Sequence, residues 1–245
     1  TRGAMIAGPF LTELDPQAAI KGSRDPLGIQ PIWTRLGRRV VGNLTTVSTS
    51  VRDFTTTILG YYLAERLAAK TGVAPEQICF GPGSTQLLKC IIEVAIAPGS
   101  NLVSPSLLWH RFHGIYEALE ADATLVPNKT DGGIDVERLT AAIGNNTRMA
   151  VVITPNNPTG NALPADQVQR IIDAANERVL VVIDEAYADF STQPSWVTKV
   201  KDHPQLIVLR TMSKAHALAG ARIGALVAHP RIIALLRKII PPYAI

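Results

Sequence analysis

Lys214 follows the apolar run Leu206-Ile207-Val208-Leu209 within the stretch Thr211-Met212-Ser213-Lys214, and small residues come after it at Ala215, Ala217, Ala219 and Gly220. An amine in that setting is expected to be partly desolvated, which lowers its pKa and frees it to attack a carbonyl carbon. Taken alone, a lysine is more often a solvated surface charge. Arg222 follows eight positions later, past Leu218-Ala219-Gly220-Ala221. Asp184 closes a second apolar run, Val179-Leu180-Val181-Val182-Ile183. A carboxylate at the end of a buried strand needs a partner, because unpaired burial is costly. A helix cap or an ion pair would meet that need, and so would a cationic ligand atom.

Three further clusters carry chemistry. Gly81-Pro82-Gly83-Ser84-Thr85 precedes an apolar helical pattern, so free N–H groups and the helix dipole there suit an anion. A dinucleotide fingerprint would need glycine near position 86, where Gln86 stands, and a phosphate-binding P-loop would need a Gly-Lys-Ser/Thr ending. A plain helix cap at Ser84 is the bland alternative. Asn156-Asn157-Pro158-Thr159-Gly160 has the composition of a turn. Trp109, Phe112, Ile115 and Tyr116 have the spacing of an amphipathic helix, whose ordinary use is core packing.

The elements that must position these clusters alternate. Helices are expected over Thr57–Thr71, Ser84–Ala97 (from a Ser/Thr cap), His110–Glu120, Val136–Ile143, Pro164–Asn176 and Pro230–Ile240. Strands are expected over Gln77–Phe80, Asn101–Ser104, Ala123–Pro127, Met149–Thr154, Val179–Ile183, Leu206–Leu209 and Ile223–Val227. That order implies an α/β domain, with a mostly parallel sheet covered by helices on both faces. In such sheets ligands bind beyond the carboxyl ends of strands. The clusters at Gly81, Asn156, Asp184 and Lys214 each follow a strand, so they are expected to converge. Residues 1–50, punctuated by Pro9, Pro16, Pro26 and Pro31, read as an extended arm, and 51–245 as the ligand-binding domain.

Composition sets broad limits. The 245 residues are 47% hydrophobic, enough for a buried core, and the formal net charge is +4. Basic residues form no dense run with interleaved aromatics, so an anionic small ligand is as good a partner as nucleic acid, and nucleic acid is not expected. No apolar stretch is long enough to span a membrane, and no signal peptide is indicated. Cys79 and Cys90 sit in apolar contexts without metal spacing, which reads as reduced core cysteines of a cytoplasmic protein.

The joint order of these motifs resembles the class I/II aminotransferases of pyridoxal-5′-phosphate (PLP) fold type I, over roughly Thr57 to Ile245. Ser213-Lys214 through Arg222-Ile223-Gly224 is similar to the lysine signature, Val182-Ile183-Asp184-Glu185-Ala186-Tyr187 to the aspartate motif, and Asn157-Pro158-Thr159-Gly160 to the Asn-Pro-Thr-Gly turn. The resemblance implies that Lys214 holds PLP as a Schiff base and shuttles protons. It implies that Asp184 faces the pyridinium nitrogen, and that Asn157 and Tyr187 meet the ring's 3-oxygen. Arg222, Thr211, Ser84 and Thr85 would hold the phosphate, with Trp109 stacked on the ring. Asn156 reads as structural. The nearest group is histidinol-phosphate aminotransferase, by Leu218-Ala219-Gly220-Ala221 and Pro241-Pro242-Tyr243 among others. Asn43-Leu44-Thr45-Thr46 and Phe54-Thr55 depart from that group's pattern in the N-terminal arm. The family continues past the position of Ile245 into a small domain that supplies the substrate-carboxylate arginine, which this sequence does not contain.

The resemblance thus implies a homodimeric, PLP-dependent aminotransferase, with an amino acid or amino-alcohol phosphate as amino donor and a 2-oxo acid as acceptor. A PLP-dependent decarboxylase, lyase or cyclase would use the same cofactor residues and differ in product. A degenerate, non-enzymatic relative is disfavoured because Lys214 and Asp184 are both present.

Overall fold

The computed structural model describes residues 63–240. The expected arm at 1–50, the departures at Asn43–Thr46 and Phe54-Thr55, the first part of the Thr57–Thr71 helix, and Pro241-Pro242-Tyr243 lie outside the described residues. Residues 63–71 are helical (α1). There follow β1 (Ile78–Pro82), α2 (Ser84–Ala95), β2 (Asn101–Pro105), α3 (His110–Ala118), β3 (Asp122–Val126), α4 (Val136–Ala141), β4 (Thr147–Ile153), α5 (Ala165–Ala175), β5 (Leu180–Asp184), β6 (Leu206–Thr211), β7 (Ile223–Ala228) and α6 (Pro230–Leu236).

The seven strands make one sheet in the order β1-β7-β6-β5-β4-β2-β3. The β3-β2-β4-β5-β6 portion is parallel. β7 runs antiparallel to both β6 and β1. That reversal follows from a short connection: Met212–Arg222 is a turn-rich loop, with no crossover helix to carry the chain back to the far edge.

Side chains alternate across the sheet, and each face has its own core. Val181 and Ile183 of β5 join Val152, Val208 and Val227 under α1, α4 and α5. Val182, between them, joins Val151, Ile207 and Leu226 under α2, α3 and α6. Burial on both faces is why the strands read as continuous apolar runs.

Several boundaries differ from expectation, for local reasons. α2 stops at Ala95, because Ile96 is extended and the Ser100 hydroxyl clasps the Ala97 backbone, accepting from its N–H at 2.9 Å and donating to its C=O at 2.6 Å. The α2 N-cap is Gly83, at φ 90°, with no side-chain capping bond, so Ser84 is the first helical residue and not the cap. α6 ends at Leu236, where the chain goes into turns instead of continuing to Ile240.

The topology fixes where polar residues gather. The carboxyl ends of β1, β4, β5 and β6 and the amino end of β7 all lie on one edge. The pairs Pro82 with Ile223, Thr211 with Gly224, and Ile153 with Asp184 mark it.

Candidate active site

The strand-end clusters converge on an open cavity of about 170 Å³. All nine side chains singled out from the sequence line it: Ser84, Thr85, Trp109, Asn157, Asp184, Tyr187, Thr211, Lys214 and Arg222. They come from six different segments, and the sheet order brings together the strand ends from which they extend.

Asp184 forms the floor. It ends β5 and is 8% exposed. Its Oδ1 accepts the Ala186 N–H at 2.9 Å. Burial pushes its carboxyl up to about 6; the Ala186 hydrogen bond works against that rise and the neighbouring Glu185 adds to it. No basic side chain among the described residues pairs with it, so it is a buried acid without an ion-pair partner at the cavity wall. Beside it, the Asn157 Nδ2 donates to the Tyr187 hydroxyl at 3.1 Å, joining two segments 30 residues apart. The pair leaves a donor hydroxyl and an amide at one wall.

Lys214 sits across from them, its Nζ 5.6 Å from the Tyr187 ring centroid. Its side chain is exposed, which corrects the expectation of a partly desolvated lysine. Ala215, Ala217, Ala219 and Gly220 are themselves exposed, and residues that small cover nothing.

The opposite end is an anion cradle. Arg222 adopts a left-handed conformation at φ 52° just before β7. This turns its guanidinium onto Gly83, where any Cβ would strike Nη2. The positive charge therefore lies against the amino end of α2, whose first N–H groups carry partial positive charge of their own. Ser84 and Thr85, freed from capping, line the same end. Thr211 is there too, but its Oγ1 accepts the Ser213 N–H at 3.2 Å, so part of its capacity shapes the turn.

Close backbone approach holds this end together. A Cβ on Gly224 would collide with the Gly83 and Ser84 main chain. Gly224→Ala must therefore push β7 and the start of α2 apart. We expect a loss of about 1–3 kcal/mol in urea denaturation, typical of overpacking, together with weaker phosphate binding. A variant matching wild type in both would show that the contact is not tight.

Trp109 caps the start of α3 and packs partly on the second core, where Phe112 and Tyr116 are buried. The helical spacing thus reflects core packing, and Trp109 sits at its boundary with the cavity.

Four features were not expected from the sequence. Ser213, Ile153 and Ala186 also line the cavity, and the buried Ser213 hydroxyl has no partner among the described residues. The fourth is an ion-pair network behind the floor. Glu185 is 2% exposed; its Oε1 accepts the Trp196 N–H at 2.7 Å, and its Oε2 accepts the Ser195 hydroxyl at 2.6 Å and Arg210 Nη1 at 3.0 Å. Arg210 Nη2 reaches Asp189 Oδ1 at 2.7 Å, and His216 Nε2 lies 3.7 Å from Asp189 Oδ2. An arginine ending an otherwise apolar run, beside a buried glutamate in need of a cation, was the available signal. Arg210→Ala should cost about 3–5 kcal/mol in denaturant unfolding, because Glu185 stays buried without its partner. Arg210→Lys should recover only part, since a single ammonium cannot span Glu185 and Asp189 as the fork does. A loss below about 1 kcal/mol in the alanine variant would place the pair in effective solvent contact.

The family model for aminotransferase class I and II matches residues 43–245. Among curated proteins, a histidinol-phosphate aminotransferase from Xanthomonas euvesicatoria pv. vesicatoria (strain 85-10) is 37% identical over 188 residues, covering 75% of this chain and 52% of that protein. An aromatic amino acid aminotransferase from Thermobifida fusca (strain YX) is 36% identical over 189 residues, with 75% and 52% covered. Among solved structures, the histidinol-phosphate aminotransferase from Sinorhizobium meliloti in complex with pyridoxal-5′-phosphate superposes with a TM-score of 0.70 at 27% identity, covering 85% of this chain and 55% of that one. The chain thus spans about half the length of the curated relatives it matches. That superposition bears out the expected α/β architecture. With a family model matched over most of its length and a sheet that gathers the family's motifs at one edge, the chain belongs to the class I and II aminotransferases.

Proposed function

We propose that the protein is a PLP-dependent aminotransferase, moving an amino group from an amino acid or amino-alcohol phosphate to a 2-oxo acid. The observation that carries this is one cavity lined by a primary amine, a buried carboxyl and an arginine-backed helix start, the kinds of group that PLP would engage.

The residues fit the cofactor on structural grounds. A cationic ring nitrogen would relieve the buried, unpaired Asp184. A phosphate would meet the Arg222 guanidinium, the α2 amino end, and hydroxyls of Ser84, Thr85 and Thr211. The orphan Ser213 hydroxyl is one more donor on that side. The Asn157 amide and Tyr187 hydroxyl would receive the ring oxygen, Trp109 would cover a ring face, and Lys214 would hold the cofactor covalently. When bound, PLP supplies an electron-withdrawing ring that spreads the charge left on a substrate carbon as its proton departs.

The chain's own residues supply the rest. The Lys214 amine, once free, is the base that takes the proton from the substrate's α-carbon, holds it as an ammonium and then acts as the acid that gives it back, which restores the amine. Asp184 keeps a proton on the atom opposite by remaining a carboxylate beside it. Asn157 and Tyr187 orient, and Arg222 anchors.

Two relatives with different amino donors in their names are comparably similar to this chain, which supports transamination more firmly than any one donor. The same reading has the protein working as a cytoplasmic homodimer; the two free, buried cysteines are in keeping with a reducing compartment.

The test is a donor screen on the full-length protein with PLP and 2-oxoglutarate, including histidinol phosphate and aromatic amino acids. Transamination yields glutamate and an oxo product in equal amounts. Carbon dioxide or ammonia without glutamate would establish a decarboxylase or lyase instead.

A further inference from the structure

Asn156 is 3% exposed and sits immediately before Asn157, yet it does not line the cavity. Its Nδ2 donates to the Leu107 carbonyl, 49 residues away, at 3.0 Å, and to Thr159 Oγ1 at 3.1 Å. The Leu107 N–H is held from the other side: Asn128 Oδ1 accepts it at 2.8 Å, while Asn128 Nδ2 donates to the Gly132 carbonyl at 3.1 Å. The main chain on either side of Leu107 in the β2–α3 loop is therefore gripped through both its N–H and its C=O, by side chains from two other loops. Trp109 lies two residues beyond that grip.

Asn156 is also a poor choice for stability alone. Its Oδ1 is buried without a partner among the described residues, which by itself destabilises the fold. Its main chain is tied in as well: the N–H donates to the Asn161 carbonyl at 2.8 Å, and the carbonyl accepts from Gly160 at 2.8 Å. Asn156 thus joins the turn carrying Asn157, which touches Tyr187, to the loop carrying Trp109. Those are two walls of the same cavity.

We infer that Asn156, with Asn128, is a positioning residue that sets Trp109 at a fixed distance from the Asn157–Tyr187 wall and so defines the slot for a flat ring. The ring's identity as PLP rests on the function proposed above; the positioning of Trp109 does not.

The test uses full-length protein labelled with fluorotryptophan, in which fluorine NMR reports each tryptophan's surroundings. The Trp109 resonance is assigned by its loss in Trp109→Phe. Asn156→Asp keeps the shape but replaces the donor with an oxygen facing the Leu107 carbonyl. Asn128→Ala opens the other side, at a half-buried position where folding is less at risk. The expected result, without added cofactor, is that the Trp109 line moves by more than its own width in Asn156→Asp and Asn128→Ala, while the other tryptophan lines stay in both. With PLP added, affinity should weaken roughly tenfold in both variants, as for loss of one aromatic stack. An unmoved Trp109 line in folded Asn128→Ala or Asn156→Asp overturns the inference. If wild type binds no PLP, the proposed function fails, and the resonance still decides the positioning role.

Discussion

Replacing Lys214 by alanine is expected to abolish covalent retention of PLP and to slow amino transfer by at least about 10²–10⁴-fold, the usual contribution of a positioned acid–base group. Lys214 is the one primary amine among the residues lining the cavity, so no neighbour can take over either task. Its exposure is compatible with both: the side chain must release the cofactor, swing, and meet a substrate carbon that enters from solvent. Borohydride treatment followed by intact-mass measurement separates the outcomes. Wild type should gain one cofactor mass and Lys214→Ala none. Lys214→Arg should behave like the alanine variant, because a guanidinium keeps the charge but provides neither nucleophile nor base near neutral pH. A small added amine should restore part of the Lys214→Ala rate by occupying the vacated space. A cofactor mass that persists on Lys214→Ala would place the attachment elsewhere and remove Lys214 from the mechanism.

The second large effect is at Asp184, and its sign depends on whether PLP is bound. Without cofactor, its carboxyl titrates near 6 against 3.8 for an ordinary aspartate, because burial penalises the charge. Below about pH 4 the group is protonated in folded and unfolded chains alike and contributes nothing. Between about 4 and 6 the folded chain holds a proton that the unfolded chain has lost, so stability falls as pH rises. Above about 6 the penalty is complete, at roughly 3 kcal/mol from the size of the shift. Asp184→Asn should therefore melt higher than wild type at pH 8 without cofactor, and match it at pH 4. With PLP present the order should reverse, since only a carboxylate gains from a cationic ring nitrogen. The variant's affinity should drop by about 10- to 150-fold, the value of a charged hydrogen bond. Thermal melts of both proteins at the two pH values, with and without PLP, test this directly. Equal stabilisation of both by PLP at pH 8 would mean that Asp184 does not meet the ring nitrogen.

The residues that line the cavity were legible in the sequence because each cluster is local. A strand buried on both faces reads as an apolar run, and the residue that ends the run stands at the sheet's edge. Val179–Ile183 thus announced Asp184, and Leu206–Leu209 announced the turn with Lys214. The helix start at Gly83 and Ser84 was legible, although their division of labour was not: glycine takes the cap through its positive φ, which leaves the serine hydroxyl free.

What the chain order could not show is which strand lies beside which. Antiparallel β7 brings Gly224 onto Gly83 and Arg222 over the start of α2, a contact between segments far apart in sequence. Parallel pairing of β5 with β6 puts Arg210 next to Glu185, and the packing of three loops lets Asn156 grip Leu107. The setting of Lys214 belongs here as well, since exposure depends on what covers a side chain and not on its neighbours in the chain. By itself the sequence determined which polar groups stand at the strand ends, because residue type and strand periodicity are written locally. Only the tertiary structure decided their distances, their burial and the supports behind them, because those come from pairings between residues that the chain keeps apart.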